Sequence, residues 1–177
     1  AGLTRYDGKT FEFIREGGMV SITAMLTDST GNLWIGTNGG RVALYQEGQF
    51  TYFNLEDDVN MNSVRCLAEA PDGSIYIGTT GNICKIDKDK ELHILDVGVK
   101  YVSSMAFCEE GIVGCTYEGE LFFMQEDKVQ EFLRKDTPGT YYTCIRKTAE
   151  GLLVGTSMNE IESINVADGR IHPSRIE

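Results

Sequence analysis

One five-residue strand pattern, used four times, constrains this chain more than any other feature. Leu33-Trp34-Ile35-Gly36-Thr37 returns as Ile75-Tyr76-Ile77-Gly78-Thr79, then as Ile112-Val113-Gly114-Cys115-Thr116, and finally as Leu152-Leu153-Val154-Gly155-Thr156. The threonines are 42, 37 and 40 residues apart. A steady period of that size marks an architecture of stacked units, in which each unit buries its apolar faces only against its neighbours.

Each threonine sits in the same local grammar. A turn precedes the pattern: Asp28-Ser29-Thr30-Gly31-Asn32, Pro71-Asp72-Gly73-Ser74, Glu109-Glu110-Gly111 and Ala149-Glu150-Gly151. An apolar or alternating segment precedes each turn, at 22–27, 64–70, 102–108 and 142–148. After the threonine come a short polar loop, a third segment (41–45, 83–86, 121–124, 161–165), a polar turn and a fourth segment (50–53, 92–95, 129–132, 170–172). The segments carry Val, Ile, Phe, Tyr and Thr, which suit strands, and Gly, Asp and Asn stand where tight hairpins need them. No segment keeps a 3.6-residue period. Every unit therefore reads as four antiparallel strands, and the period matches a β-propeller blade.

Gly2 to Phe13 reads as the third strand, turn and fourth strand of a further unit. The fold class is thus all-β: a β-propeller fragment of about four four-stranded antiparallel blades plus an N-terminal half-blade. The blades are placed at 21–53, 62–95, 102–132 and 142–173, and the trailing half-blade at 1–13. Apolar residues on both faces of the central strands fit blades packed between two neighbours. A half-blade and open end faces predict self-association, unless Leu3 to Phe13 pairs with the last blade and closes the ring.

The net charge of −11 repels phosphate backbones and anionic lipid, so nucleic acid and direct membrane contact are not expected partners. Apolar residues make up 41%, which is globular, yet no window approaches the 18 apolar residues of a membrane span. No leader is visible, and the chain reads as an excised piece. The five cysteines, Cys66, Cys84, Cys108, Cys115 and Cys144, form no CxxC pair and are odd in number, which argues against a zinc site or a full disulfide framework. They read as small apolar residues in strands.

The run from Asp28 to Gly40, followed by Leu44-Tyr45, resembles the two-component regulator propeller repeat. Leu3-Thr4-Arg5-Tyr6-Asp7-Gly8 is similar to the end of that repeat, and Asp72 to Thr79 matches it with Tyr76 in place of tryptophan. The third unit departs at Cys115, and the fourth lacks the aromatic residue and the Gly-Gly pair. The resemblance implies the periplasmic or extracellular sensor region of a bacterial membrane signalling protein, whose histidine kinase or diguanylate cyclase output is not in this segment. It implies binding rather than catalysis, with no cofactor.

Candidate ligand residues lie where propellers gather their loops. The second-to-third-strand loops supply Asn38, Arg41, Asn82, Tyr117 and Glu118, and the blade connections supply Asp57, Asp58, Asn60, Lys100, Tyr101, Tyr141 and Tyr142. Asn38, Arg41, Asn82, Tyr101, Tyr117 and Tyr141 are the favoured set, suited to a carbohydrate or peptide; an ordinary solvated rim is the competing reading. Trp34 and Tyr76 share one repeat position and are expected between blades, with sugar stacking as the alternative. Glu56 to Asn62 is rich in oxygen donors but lacks the EF-hand pattern, and Asp87-Lys88-Asp89-Lys90 reads as a solvated turn, so no metal site is expected. His93 and His172 fall in outer strands. That placement argues against the enzyme alternative, a propeller lyase of the streptogramin-inactivating type. A purely structural blade set is the other alternative.

Overall fold

Residues 2–14, 21–55 and 63–176 are described by the structure, a computed structural model. Every β-branched and aromatic segment between Gly-, Asp- or Asn-bearing turns is a strand. β1 (Leu3–Tyr6) and β2 (Phe11–Ile14) form a two-stranded antiparallel sheet. β3 (Ile22–Thr27), β4 (Leu33–Thr37), β5 (Arg41–Gln46) and β6 (Gln49–Asn54) form the first complete sheet in simple chain order. The second holds β7 (Val64–Glu69), β8 (Ile75–Thr79), β9 (Ile83–Ile86) and β10 (Leu92–Leu95). The third holds β11 (Val102–Phe107), β12 (Ile112–Thr116), β13 (Leu121–Gln125) and β14 (Lys128–Leu133). The fourth holds β15 (Tyr142–Thr148), β16 (Gly151–Thr156), β17 (Ile161–Ala167) and β18 (Arg170–Arg175). All pairings are antiparallel between chain neighbours, so these are four blades and a half-blade of a β-propeller.

The sheets stack in series. Four apolar clusters occupy the successive interfaces, and the first strands β3, β7, β11 and β15 pack side by side as the inner wall. Trp34 is fully buried among Val64, Ile75, Ile77, Cys84 and Ile86 of the second blade, so it fills the gap between blades as its repeat position predicts. Its indole N–H donates to Asp28 Oδ2 at 2.9 Å, and Lys90 of the second blade lies 4.9 Å above its ring. Tyr76 repeats the arrangement one blade on: its hydroxyl donates to Asp127 of the third blade at 2.5 Å.

The glycine of the repeat is explained by close approach. A Cβ at Gly36 would stand 2.2 Å from Val64 Cγ1, and one at Gly78 would stand 2.6 Å from Val102 Cγ1. Each glycine thus admits the first strand of the next blade. The threonine beside it pins the following turn. Thr79 Oγ1 donates to Asn82 O at 2.8 Å and accepts the amides of Gly81 and Asn82. Thr37 Oγ1 exchanges the same kind of bonds with Arg41, and Thr116 and Thr156 accept from Glu120 and Glu160. All four threonines are buried.

One expectation needs correction. The fourth blade is apolar on one face only: Ile145, Leu152, Val154 and Ile164 pack on the third blade, whereas Arg146, Asn165 and Ile161 on the strands behind them are exposed, with no further blade lying over them among the described residues. Cys144 lies in β15, as a strand cysteine should, and is exposed on that same open side; all five thiols are free. The alternative in which the half-blade pairs with the last blade and closes the ring is not seen among the described residues. β1 and β2 pair with each other, Leu3 packs against Ile35 and Ala43 of the first blade, and no cluster among the described residues joins them to β15–β18.

Candidate functional site

The residue after each repeat threonine lies against the residue that leads into the same blade's first strand. Asn38 N donates to Ser21 O, Thr80 N to Ser63 O, Tyr117 N to Tyr101 O and Ser157 N to Tyr141 O, at 2.7–3.1 Å. The blade connections also rest on the preceding blade's turn: Tyr101 N donates to Thr80 O and Tyr142 N to Gly119 O. These bonds gather the second-to-third-strand turns and the connections on one rim.

Three of the expected residues converge there. Tyr101, Tyr117 and Tyr141 surround the β12–β13 turn of the third blade and are 42%, 63% and 50% exposed. Tyr141 packs over Gly119, where an added Cβ would meet Tyr141 Cβ at 2.3 Å. Tyr101 holds φ = 54°, a left-handed conformation that disfavours any side chain by roughly 1–2 kcal/mol. Strain of this kind persists where surrounding structure imposes it and clusters at functional sites. A cleft beside the turn is lined by Lys100, Tyr101, Glu118, Glu120, Phe132 and Arg134. Arg134 bridges its two glutamates, with Nε donating to Glu120 at 2.6 Å and the guanidinium 3.9 Å from Glu118.

The other expected residues are placed differently. Asn38 is exposed on the rim but two blades away, and it accepts the Ser63 hydroxyl at 2.7 Å. Asn82 is half-buried in its own turn, its Oδ1 accepting from Thr79 and Cys84. Arg41 turns toward the outermost strand of its blade, donating to Asn54 Oδ1 at 3.3 Å and lying 5.7 Å over the Tyr52 ring. Asp57, Asp58 and Asn60, with the oxygen-rich run 56–62, lie outside the described residues.

Arg65 is the rim residue that the sequence reading passed over. It occupies a bulge in β7, between Val64 and Cys66, and its guanidinium lies 5.8 Å over the Tyr117 ring. A signal for it existed in the aligned repeats: its counterparts in the other bulges are the small hydroxyl residues Thr23, Ser103 and Thr143.

Both histidines sit on outermost strands, as their positions predicted. His93 is on β10, with Nε2 2.8 Å from Asp87 Oδ2, and His172 is on β18. Asp87, Glu91 and His93 bring one ligand atom each within 4.8 Å of one another, a grouping not anticipated from the sequence. The hydrogen bond from His93, followed by the amides of Glu91 and Asp89, holds the Asp87 carboxyl below its ordinary range. Those bonds account for the geometry as a closed turn. Burial pushes the Cys66 thiol up to about 12 and the Cys84 thiol up to about 11, so neither is a nucleophile at neutral pH.

With this geometry in hand, comparison with known proteins is informative. Residues 17–39 and 58–81 match the family model described as Two component regulator propeller. No curated protein matches the chain. Among solved structures, the extracellular domain of the hybrid two component system BT3049 from B. thetaiotaomicron aligns with a TM-score of 0.75 at 21% identity, over 97% of this chain and 25% of that one. The corresponding domain of BT4673 from the same organism aligns at 0.66 and 18%, over 94% and 24%. A catalytically inactive virginiamycin B lyase from Staphylococcus aureus, solved with quinupristin, aligns at 0.77 and 18%, over 96% and 60%. At these identities the likeness establishes the fold. The chain spans 56–60% of the lyases and about a quarter of the two-component proteins.

Proposed function

Because this chain carries repeats of the two component regulator propeller family, we propose that it is a ligand-recognition segment of an extracytoplasmic signalling sensor, with the ligand seated on the rim around the β12–β13 turn. The observation that carries this reading is the convergence of Tyr101, Tyr117 and Tyr141 on one turn, each at least 42% exposed. Exposed aromatic faces beside matched polar groups suit sugar rings or peptide side chains. The extracytoplasmic placement is supported by the extracellular domains that the fold resembles. A non-enzymatic role is favoured over the lyase reading because both histidines stand on outer strands, away from the inner wall.

Thermal-shift and calorimetric titration of the complete parent propeller with short oligosaccharides and peptides tests the proposal. A ligand should bind, and Tyr117→Ala or Tyr141→Ala should weaken it. Binding that both variants retain would place the site elsewhere and leave these blades as scaffold. Turnover of a cyclic depsipeptide, abolished in His93→Ala or His172→Ala, would instead establish the enzyme reading.

Self-association belongs to the same proposal. Tyr6, Phe11, Phe13 and Met25 are 57–67% exposed at one end of the stack, and Ile161 is 56% exposed at the other. Apolar end faces of this kind favour docking on another copy. Light scattering at rising concentration should report an oligomer; a monomer throughout would count against it.

A further inference from the structure

The bulge at the head of each first strand has a consistent chemistry, and the second blade breaks it. Thr23 Oγ1 donates to Val64 O of the next blade at 2.6 Å and lies 3.3 Å from Gly36 O across its own sheet. Ser103 Oγ makes the matching bonds, to Cys115 O at 3.1 Å and Thr143 O at 3.5 Å. A small hydroxyl at this position therefore ties the first strand both to its own second strand and to the next blade. Arg65 stands at the same register position and makes neither tie. Its Nε is buried and has no hydrogen-bond partner, and Arg65 enters no ion pair among the described residues. Its guanidinium lies instead over Tyr117, at the proposed ligand site.

An orphaned guanidinium donor is costly: a buried N–H without an acceptor forfeits a charge-assisted bond. The chain carries 27 acidic residues against 16 basic ones, so an arginine without a carboxylate partner is conspicuous here. The rigid fork of arginine matches a planar oxyanion, and aromatic stacking fixes the plane in which it is offered. The surrounding field disfavours a multiply charged anion such as phosphate and tolerates a single negative charge.

We propose that Arg65 is the anchor for a carboxylate-bearing ligand, whose carboxylate docks on the Arg65 guanidinium while its body rests against Tyr117. This rests on the rim reading given above and deepens it. Two sources supply that chemistry, a uronate unit of an oligosaccharide and the free C-terminus of a peptide.

The test is a titration of the ¹⁵N-labelled parent propeller, following the Arg65 Nε–H resonance. The probes are a galactose trisaccharide bearing one terminal galacturonate, its neutral counterpart galactotriose, and one short peptide with a free or an amidated C-terminus. A carboxylate probe should shift the resonance while the neutral galactotriose and the amidated peptide do not, and the responding member names the source. Arg65→Lys, which keeps the charge but loses the fork, should weaken that probe by ~10- to ~100-fold with an unchanged melting temperature. Tyr117→Leu should weaken it independently. If galactotriose or the amidated peptide binds as tightly as its acidic counterpart and Arg65→Lys changes nothing, the Arg65 anchor is refuted while the rim reading stands. If no probe binds, both fall.

Discussion

A methyl group added at Gly36 goes straight into the neighbouring blade. The Cβ of Gly36→Ala would stand 2.2 Å from Val64 Cγ1 and 2.9 Å from Val64 Cβ, against an ordinary carbon–carbon contact of about 3.5–4.0 Å. Val64 is fully buried, and its branched side chain has few rotamers to retreat into, so the two sheets must part. Overpacking of this kind costs ~1–3 kcal/mol, and the stiffness of the site points to the upper half of that range. Gly155 occupies the same repeat position in the fourth blade, and among the described residues of this 177-residue chain no further first strand stands against it. A Cβ there meets only Thr143 Oγ1 at 3.1 Å and Cys144 Sγ at 3.3 Å. Gly155→Ala should therefore change stability by less than ~0.5 kcal/mol, as a surface substitution does. Trp34 is the single tryptophan and lies in the strained interface, so urea unfolding followed by its fluorescence reads the first case, with circular dichroism for both. Adding Val64→Ala to Gly36→Ala should recover ~1 kcal/mol relative to the sum of the single changes. Equal destabilisation by Gly36→Ala and Gly155→Ala would refute the claim that this glycine exists to admit the next blade.

Three further outcomes follow from named contacts. Partial burial raises the Asp28 carboxyl, but hydrogen bonds from Thr30, the Trp34 indole and Asn32 outweigh it and hold the group down to about 2. A depressed carboxyl stabilises above its ordinary value of 3.8 and loses that contribution as pH falls through about 2; acid titration of stability should show a loss of ~1 kcal/mol after solvent screening, absent in Asp28→Asn. Thr79→Val removes a fully buried acceptor for the Gly81 and Asn82 amides of the partly buried turn, and should lower stability by ~1–3 kcal/mol in chemical denaturation. Lys135→Met strands Glu162, which is 7% exposed and pairs with Lys135 across the third and fourth blades; a loss of about 3 kcal/mol is expected, largely recovered by adding Glu162→Leu.

The blade pattern was legible because it rests on short-range chemistry. A glycine, a threonine whose hydroxyl bonds the turn two to four residues on, and an aromatic before them each write a local constraint into the chain, and the period repeats it. Trp34 could be assigned to an interface for the same reason. The polarity of the last blade's outer face was harder to see, since Leu153 and Ile161 keep the apolar pattern while Arg146 and Asn165 quietly break it. At the candidate site, Tyr101, Tyr117 and Tyr141 could be named from loop position, but their convergence depends on hydrogen bonds between segments up to 23 residues apart, as between Tyr142 and Gly119. The surroundings of Arg41 and Asn82 were not legible, because a loop position does not reveal that a side chain turns to Asn54 or folds onto its own turn. Arg65 was missed because it was read as a strand residue, and only the bulge register exposes it as the exception among hydroxyls.

Hydrogen exchange of the parent propeller, measured with and without short neutral and uronate oligosaccharides, tests the recognition claim most directly. The account predicts slower exchange at the amides of Tyr101 and of residues 117–120, with the opposite rim unchanged. Protection confined to the turns at 107–111 and 147–152, which line a separate cleft on the other side of the third and fourth blades, would contradict it.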